Sequence, residues 1–217
     1  MNRNIINLFL CFFFILIPVW AEEDVFRHPL TPQTMVTFTA TCANLAKHPI
    51  IKGNFEQEKH LTRFNRSLMS SGNFIIAAEQ GMVWETLQPF PSTMIMGNDY
   101  IMQARPNGQK SVLSSQGNET FTQMADVISS VFSGHSQGLL GNFEVFFFGS
   151  VSNWNMGLLP RDRIIASFVT KITLSGDSAI RSIRIFEQNG DVITYTLSNL
   201  SHPARLSDHE EAFFSIP

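Results

Sequence analysis

Apolar side chains recur along this chain with two spacings, one of three to four residues and one of two, and each change of spacing marks a change of element. Thr31 followed by Pro32 has the form of a helix N-cap with proline at the first helical position. Met35, Phe38, Cys42 and Leu45 then recur at steps of three and four. This predicts an amphipathic helix of about four turns, ended by Pro49. A second helical stripe starts from Asn118 and carries Phe121, Met124, Val127 or Ile128, and Val131 or Phe132. Elsewhere the period is two. Phe55 and Gln57 oppose Glu56 and Glu58, Phe74 and Ile76 oppose Asn73 and Ile75, and Met82 and Trp84 oppose Glu85. Beyond the Pro89-Phe90-Pro91 corner, Met94 and Met96 resume the apolar side. The same alternation returns in Trp154, Met156 and Leu158, in Ile172 and Leu174, and in Ile183 and Ile185. After the turn signal Asn189-Gly190 it returns in Ile193, Tyr195 and Leu197.

Roughly ten short strands joined by Gly, Asn and Pro turns imply a mainly β (α+β) protein built on one large antiparallel sheet. No composition shift divides residues 22–217, which therefore read as a single domain. Nearly every strand keeps an apolar side, yet only two substantial helices are predicted to cover it. The sheet must therefore curve so that its apolar face closes on itself, and two helices plug only part of the resulting hollow. Most apolar stripes are simply packed core. Here the weight of Phe and Met points instead to a deformable apolar cavity, because unbranched, polarisable side chains adapt to a flexible guest.

Arg3 precedes an apolar run from Ile5 to Val19 that ends in Val19-Trp20-Ala21 and gives way to Glu22-Glu23-Asp24. The run is shorter than the roughly 20 residues of a spanning helix and is interrupted by Pro18, so residues 1–21 read as a secretory signal peptide. Cys11 sits inside that run behind the bulky Leu10, which argues against processing as a lipoprotein. Cys42 is then the single thiol of the exported chain, and an internal disulfide is excluded. The sequence has 15 basic and 18 acidic residues, and Arg3 is the one basic residue in the leader. A mildly acidic chain without a Lys/Arg cluster is not a nucleic-acid binder. Charged residues make up 15% of the chain and aromatic residues 12%, nearly all of them Phe, which sends the search for function to apolar contacts and away from ionic ones.

Two stretches invite a catalytic or metal reading. Gly134-His135-Ser136-Gln137-Gly138 matches the nucleophile elbow of α/β-hydrolases, and Asp177 or Asp191 with His202 or His209 would complete a serine esterase. The helical period that leads into it speaks for a Gly/Ser loop instead. Residues His202 to Glu211 hold two His, one Asp and two Glu, but without two His at helical spacing they read as a solvated terminal stretch. The expectation is no catalytic residue, no metal and no cofactor.

Several residues occur in a recognisable order: Gly53-x-Phe55-x-Gln57-x-Lys59, Ser71-Gly72-x-Phe74, Trp84 with Pro89, Trp154-x-x-x-Leu158-x-Pro160, and Gly190-Asp191 with Phe213. Over the mature chain from about residue 32, this order resembles the LolA family of periplasmic outer-membrane lipoprotein carriers. The resemblance implies a strongly bent, unclosed β-barrel whose mouth is covered by helices and whose hollow holds lipoprotein acyl chains, or another envelope lipid, in transit. It also implies a periplasmic location, an inner-membrane donor complex and an outer-membrane acceptor; a monomer is expected. The residues expected to face the hollow are Phe55, Phe74, Ile76, Met82, Trp84, Met94, Met96, Trp154, Met156, Ile183 and Ile185, with Met35, Phe38, Phe121 and Met124 covering it from the helices. One departure stands out. LolA-like chains approach the Trp strand through Arg-Pro, with the Arg linked to holding the lid shut, and those positions here are Ala78 and Glu79. A module of the same fold that senses an envelope lipid or holds a protein partner is the other reading.

Overall fold

A computed structural model describes residues 24–97, 100–105, 107, 109–114, 130–132 and 134–215. The leader, and the second predicted helix up to residue 129 with Phe121 and Met124, lie outside the described residues.

Eleven strands form one antiparallel sheet: β1 (Ile50–Leu61), β2 (Arg66–Ala77), β3 (Gly81–Gln88), β4 (Ser92–Met96), β5 (Tyr100–Ala104), β6 (Lys110–Ser114), β7 (Phe143–Ser150), β8 (Asn153–Pro160), β9 (Val169–Gly176), β10 (Ile180–Glu187) and β11 (Val192–Ser201). Their order is β6-β5-β4-β3-β2-β1-β11-β10-β9-β8-β7, so two meanders are joined where the first strand pairs with the last. β6 and β7 are the two edges, and the sheet does not close between them. The outer edge of β7 takes a bridge from Pro29 to Phe146, and the Phe147 amide donates to the His28 carbonyl at 2.9 Å.

The period-two pattern fixes the register, since a slip of one residue would turn every apolar side chain outward. Phe55 stands opposite Leu197 and Gly72, Phe74 opposite Trp84, Met82 opposite Met96, Ile183 opposite Leu174, and Phe147 opposite Met156. All of these belong to one continuous face and one core cluster. At Gly72 the partner strand approaches so closely that a Cβ would sit 1.9 Å from the Glu85 carbonyl oxygen, which admits only glycine.

Helix α1 (Pro32–Leu45) begins as the sequence predicts. Thr31 accepts from the Thr34 amide at 3.2 Å while the Thr34 hydroxyl accepts from the Thr31 amide at 2.8 Å, a reciprocal cap. Its apolar stripe brings Phe38, Cys42 and Leu45 into the main core, with the Phe38 ring edge-on to Phe147 at 5.9 Å. Three short helices were not expected: α2 (Ser136–Asn142), α3 (Arg163–Phe168) and α4 (Asp208–Phe214). The stretch 202–211 is mostly exposed, as expected, but its last residues begin α4, which the sequence did not show. Phe213 and Phe214 of α4 pack with Val83, Ile95, Met102 and Tyr100 in a second apolar cluster on the opposite face of β2–β5. Tyr100 donates to the Phe214 carbonyl at 3.3 Å.

Glu210 holds α4 to the sheet. Its carboxylate accepts from Lys52 Nζ at 2.5 Å and closes a capping box with Ser207. The bond from Lys52, followed by the Ser207 amide, draws the carboxyl down to about 2 from its ordinary 4.5. A carboxyl depressed in the folded state adds stability that is fully present above about pH 4.5 and is lost as pH falls toward about 2. Acid should therefore loosen α4 in that window, read as rising amide exchange at 208–214. Glu210→Gln should flatten the pH dependence of that exchange; an identical profile in the variant would remove Glu210 from this role.

Candidate functional site

The inward side chains of β7 and β8 are fully covered. Phe38 of α1 and Leu139 of α2 pack with Phe143, Phe147, Met156 and Leu158, and all six are at most 1% exposed. Among the described residues the helices do not extend this seal across the whole sheet. Beneath β3–β5 and β9–β11 a cavity of about 350 Å³ remains. Met82, Trp84 and Met94 form one wall, and Ile172, Leu174, Ile183, Ile185 and Tyr195 form the other. Val131 and Phe132 bound it on the helical side, and Gln57, Thr86, Ser92 and Gln103 add polar groups.

Trp84 organises the floor. Its ring stacks on Phe55 at 4.2 Å and on Phe74 at 5.6 Å, and meets Tyr195 edge-on at 5.3 Å. Offset and edge-on contacts of this kind fix ring orientation as well as burying area. Phe55 and Phe74 are fully buried, whereas Trp84, Met94, Ile185 and Tyr195 are only half-buried, so the cavity communicates with solvent. Thr86 and Ser92 pair across β3 and β4 next to the 89–91 corner, which places these polar groups toward that end of the sheet.

Of the residues expected to face the hollow, Met82, Trp84, Met94, Ile183 and Ile185 line the cavity. Phe55 and Phe74 lie beneath Trp84, and Ile76 and Met96 are buried further along the same face. Trp154 and Met156 belong to the sealed region, where Trp154 is completely buried and its indole N–H donates to the Asp177 carbonyl at 2.7 Å. Phe38 is sealed there too, and Met35 is half-buried against the core. Ile172, Leu174 and Tyr195 were legible as residues of the correct face, but their position over a void was not. Gln57, Thr86, Ser92 and Gln103 carried no sequence signal beyond their place in alternating strands.

Burial pushes the Tyr195 phenol up to about 12, with Glu187 adding to the shift. Burial alone pushes the Cys42 thiol up to about 12, so it stays protonated and is an inert core residue. Ser136 opens α2 after Gly134, which has φ 62°, and residues 130–132 before it are helical. No strand leads into Ser136, so this is not the strand-to-helix elbow of a hydrolase. His48 and His202 stack with ring centroids 3.9 Å apart, and burial, then His48, lowers the His202 pKa. Among the described residues no group of three His, Cys, Asp or Glu could hold a metal, and no helix is long and apolar enough to cross a membrane.

Residues 47–213 match the family model of the outer membrane lipoprotein carrier protein LolA. The chain belongs to the LolA family. A LolA superfamily protein from Nitrosomonas europaea has a similar structure, with 11% identity, a TM-score of 0.46, and 80% of this chain and 96% of that chain covered. An outer membrane lipoprotein-sorting protein domain from Vibrio parahaemolyticus gives 10% identity and a TM-score of 0.43 over 88% and 100% of the two chains. The lipoprotein LppX of Mycobacterium tuberculosis gives 9% and 0.43 over 82% and 100%. No curated protein matches this chain in sequence. Within the LolA frame, Ala78 and Glu79 occupy the exposed turn between β2 and β3, where the Ala78 amide donates to the Pro49 carbonyl at 2.8 Å. That turn is at the far end of the sheet from the 89–91 corner.

Sealed core and cavity wall should respond differently to truncation. Phe55→Ala removes a fully buried ring and should cost about 3–5 kcal/mol, read from urea unfolding. Met94→Ala trims a wall that already faces a void and should cost less than about 2 kcal/mol. Equal losses would mean that Met94 is packed as tightly as Phe55.

Proposed function

We propose that this protein is a periplasmic carrier that takes an acyl chain of a lipoprotein, or of another envelope lipid, into the cavity and delivers it toward the outer membrane. The observation that carries the reading is the open cavity itself, walled by Met, Trp, Ile and Leu from both meanders in a member of the LolA family. Its volume of about 350 Å³ lies near the lower end of the roughly 300–1,000 Å³ of small-molecule sites. That suits part of one alkyl chain. The exported destination rests on the leader-like residues 1–21 and on family membership.

Transfer in this reading makes and breaks no covalent bond. Withdrawing an acyl chain of about fifteen methylenes from water is worth on the order of 12 kcal/mol at about 0.8 kcal/mol each. A carrier has to recover most of this from its own apolar lining and still release the chain. Half-buried Met94 and Ile185 suit that balance, since they offer contact without enclosing the guest. Gln57, Thr86, Ser92 and Gln103 supply donors and acceptors for the ester and amide groups that adjoin an acyl chain.

Met94→Glu and Ile185→Glu each put a carboxylate into the cavity wall, where an alkyl chain would have to desolvate it. Binding of a fluorescent fatty acid should weaken by at least about tenfold, or about 1.4 kcal/mol, with the far-ultraviolet spectrum unchanged. Unchanged binding in both folded variants would overturn the proposal. Native mass spectrometry of the protein isolated from its own envelope should show a bound lipid or lipopeptide mass.

A further inference from the structure

Strand directions divide the connections between two ends of the barrel. The turns at 62–65, 89–91 and 188–191, the adjoining ends of β5 and β6, and α3 lie at one end, beside Thr86 and Ser92 of the cavity. Large exposed apolar side chains concentrate there: Phe64, Leu68, Leu87, Phe90 and Phe168, with Phe90 81% exposed. They stand on separate tips around the mouth, on both meanders. Five such side chains gathered at one end of the sheet, where the cavity opens, make that end the candidate contact surface.

The tips that carry Phe64 and Phe168 are tied together through the 188–191 turn. The Thr62 amide donates to Asp191 at 3.0 Å and its hydroxyl to the Gly190 carbonyl at 2.6 Å, which ties the 62–65 turn to the 188–191 turn. The Gln188 amide donates to the Phe168 carbonyl at 2.9 Å and its side chain to the Ala166 carbonyl at 2.6 Å, which ties that turn to α3. Phe64 and Phe168 are thus presented on a braced rim.

Charge at this end has the opposite sign to that of the whole chain, whose net charge is −3. Arg63, Arg66, Arg105 and Lys110 are exposed on the same turns, with Arg63 5.9 Å from the Phe64 ring centre. Of the carboxylates here, Glu187 is paired with Lys59 at 2.7 Å, Asp191 is buried under Thr62, and Asp162 caps α3 between the exposed Arg161 and Arg163; Glu58 and Glu144 are exposed. Exposed aromatic tips interleaved with arginines are the features of an interfacial membrane contact.

We propose that this end docks directly on an anionic bilayer surface, with Phe64 and Phe90 entering the boundary between headgroups and acyl chains so that the cavity mouth faces the lipid. Docking goes beyond the carrier reading, because none of these rim residues lines the cavity.

The full chain would be floated with vesicles of phosphatidylcholine, and with vesicles of two parts phosphatidylcholine to one part phosphatidylglycerol. It should bind the anionic vesicles at low salt and be released near 1 M salt, where the reach of charges falls to about 3 Å. Phe64→Ser with Phe90→Ser should lower the vesicle-bound fraction by about tenfold, and Arg63→Gln with Arg66→Gln should lower it to the level on neutral vesicles. Both variants should keep the fatty-acid binding of the parent chain, whereas Met94→Glu should keep vesicle docking while losing the fatty acid. Absence of binding to anionic vesicles, or binding by both rim variants equal to that of the parent, would overturn the docking proposal and leave the carrier reading standing. Loss of vesicle binding in Met94→Glu alone would also overturn it, since lipid uptake by the cavity would then account for the association.

Discussion

An antiparallel sheet that curves on itself gathers all its inward side chains on one concave face, and whatever does not cover that face leaves it to solvent or to a guest. In this protein the concave face spans eleven strands, and α1 and α2 pack mainly under β7 and β8, with Leu45 at the end of α1 reaching toward Ile51, Phe74 and Leu197. Under β7 and β8, Phe38, Phe147, Trp154 and Met156 meet with no exposed apolar surface. On the far side the sheet has no comparable cover among the described residues, and Trp84, stacked on Phe55 and Phe74, makes the floor. Among the described residues, the cavity is thus the difference between the area the sheet offers and the area the helices reach. Its lining is adaptable for the same reason that Met is useful in any loosely packed interior.

The sequence exposed most of this architecture through parity. Met82 and Trp84 fall opposite Met96 and Met94, and Ile183 and Ile185 opposite Leu174 and Ile172, as the alternation requires. The first helix was legible from its Thr-Pro start and its apolar stripe. Parity assigns residues to a face, however, and says nothing of which stretch of that face a helix will cover. Trp154 and Trp84 therefore looked equivalent in the sequence, although one is sealed and hydrogen-bonded and the other borders the cavity.

The second apolar cluster was hidden for a related reason. Met82-Val83-Trp84 and Met94-Ile95-Met96 are unbroken apolar runs, which can mean a strand buried on both faces. The concave side accounted for Met82, Trp84, Met94 and Met96, so Val83 and Ile95 had no assigned partner. Their cover is α4, whose charged sequence masked a capping box at Ser207 and Glu210 ahead of Phe213 and Phe214. Phe146-Phe147-Phe148, an unbroken aromatic run, also serves two faces of strand β7: Phe147 enters the core while Phe146 meets Phe26 at 5.4 Å on the other face.

The seam between β6 and β7 has a mechanical consequence. In a closed barrel the girth is set by strand number and stagger, so widening it means breaking ladder hydrogen bonds. Here neither edge is bonded to the other, and the Pro29 bridge guards the β7 side without tying it to β6. A change of twist spread over eleven strands can therefore dilate or narrow the bore while every rung of the ladder stays intact.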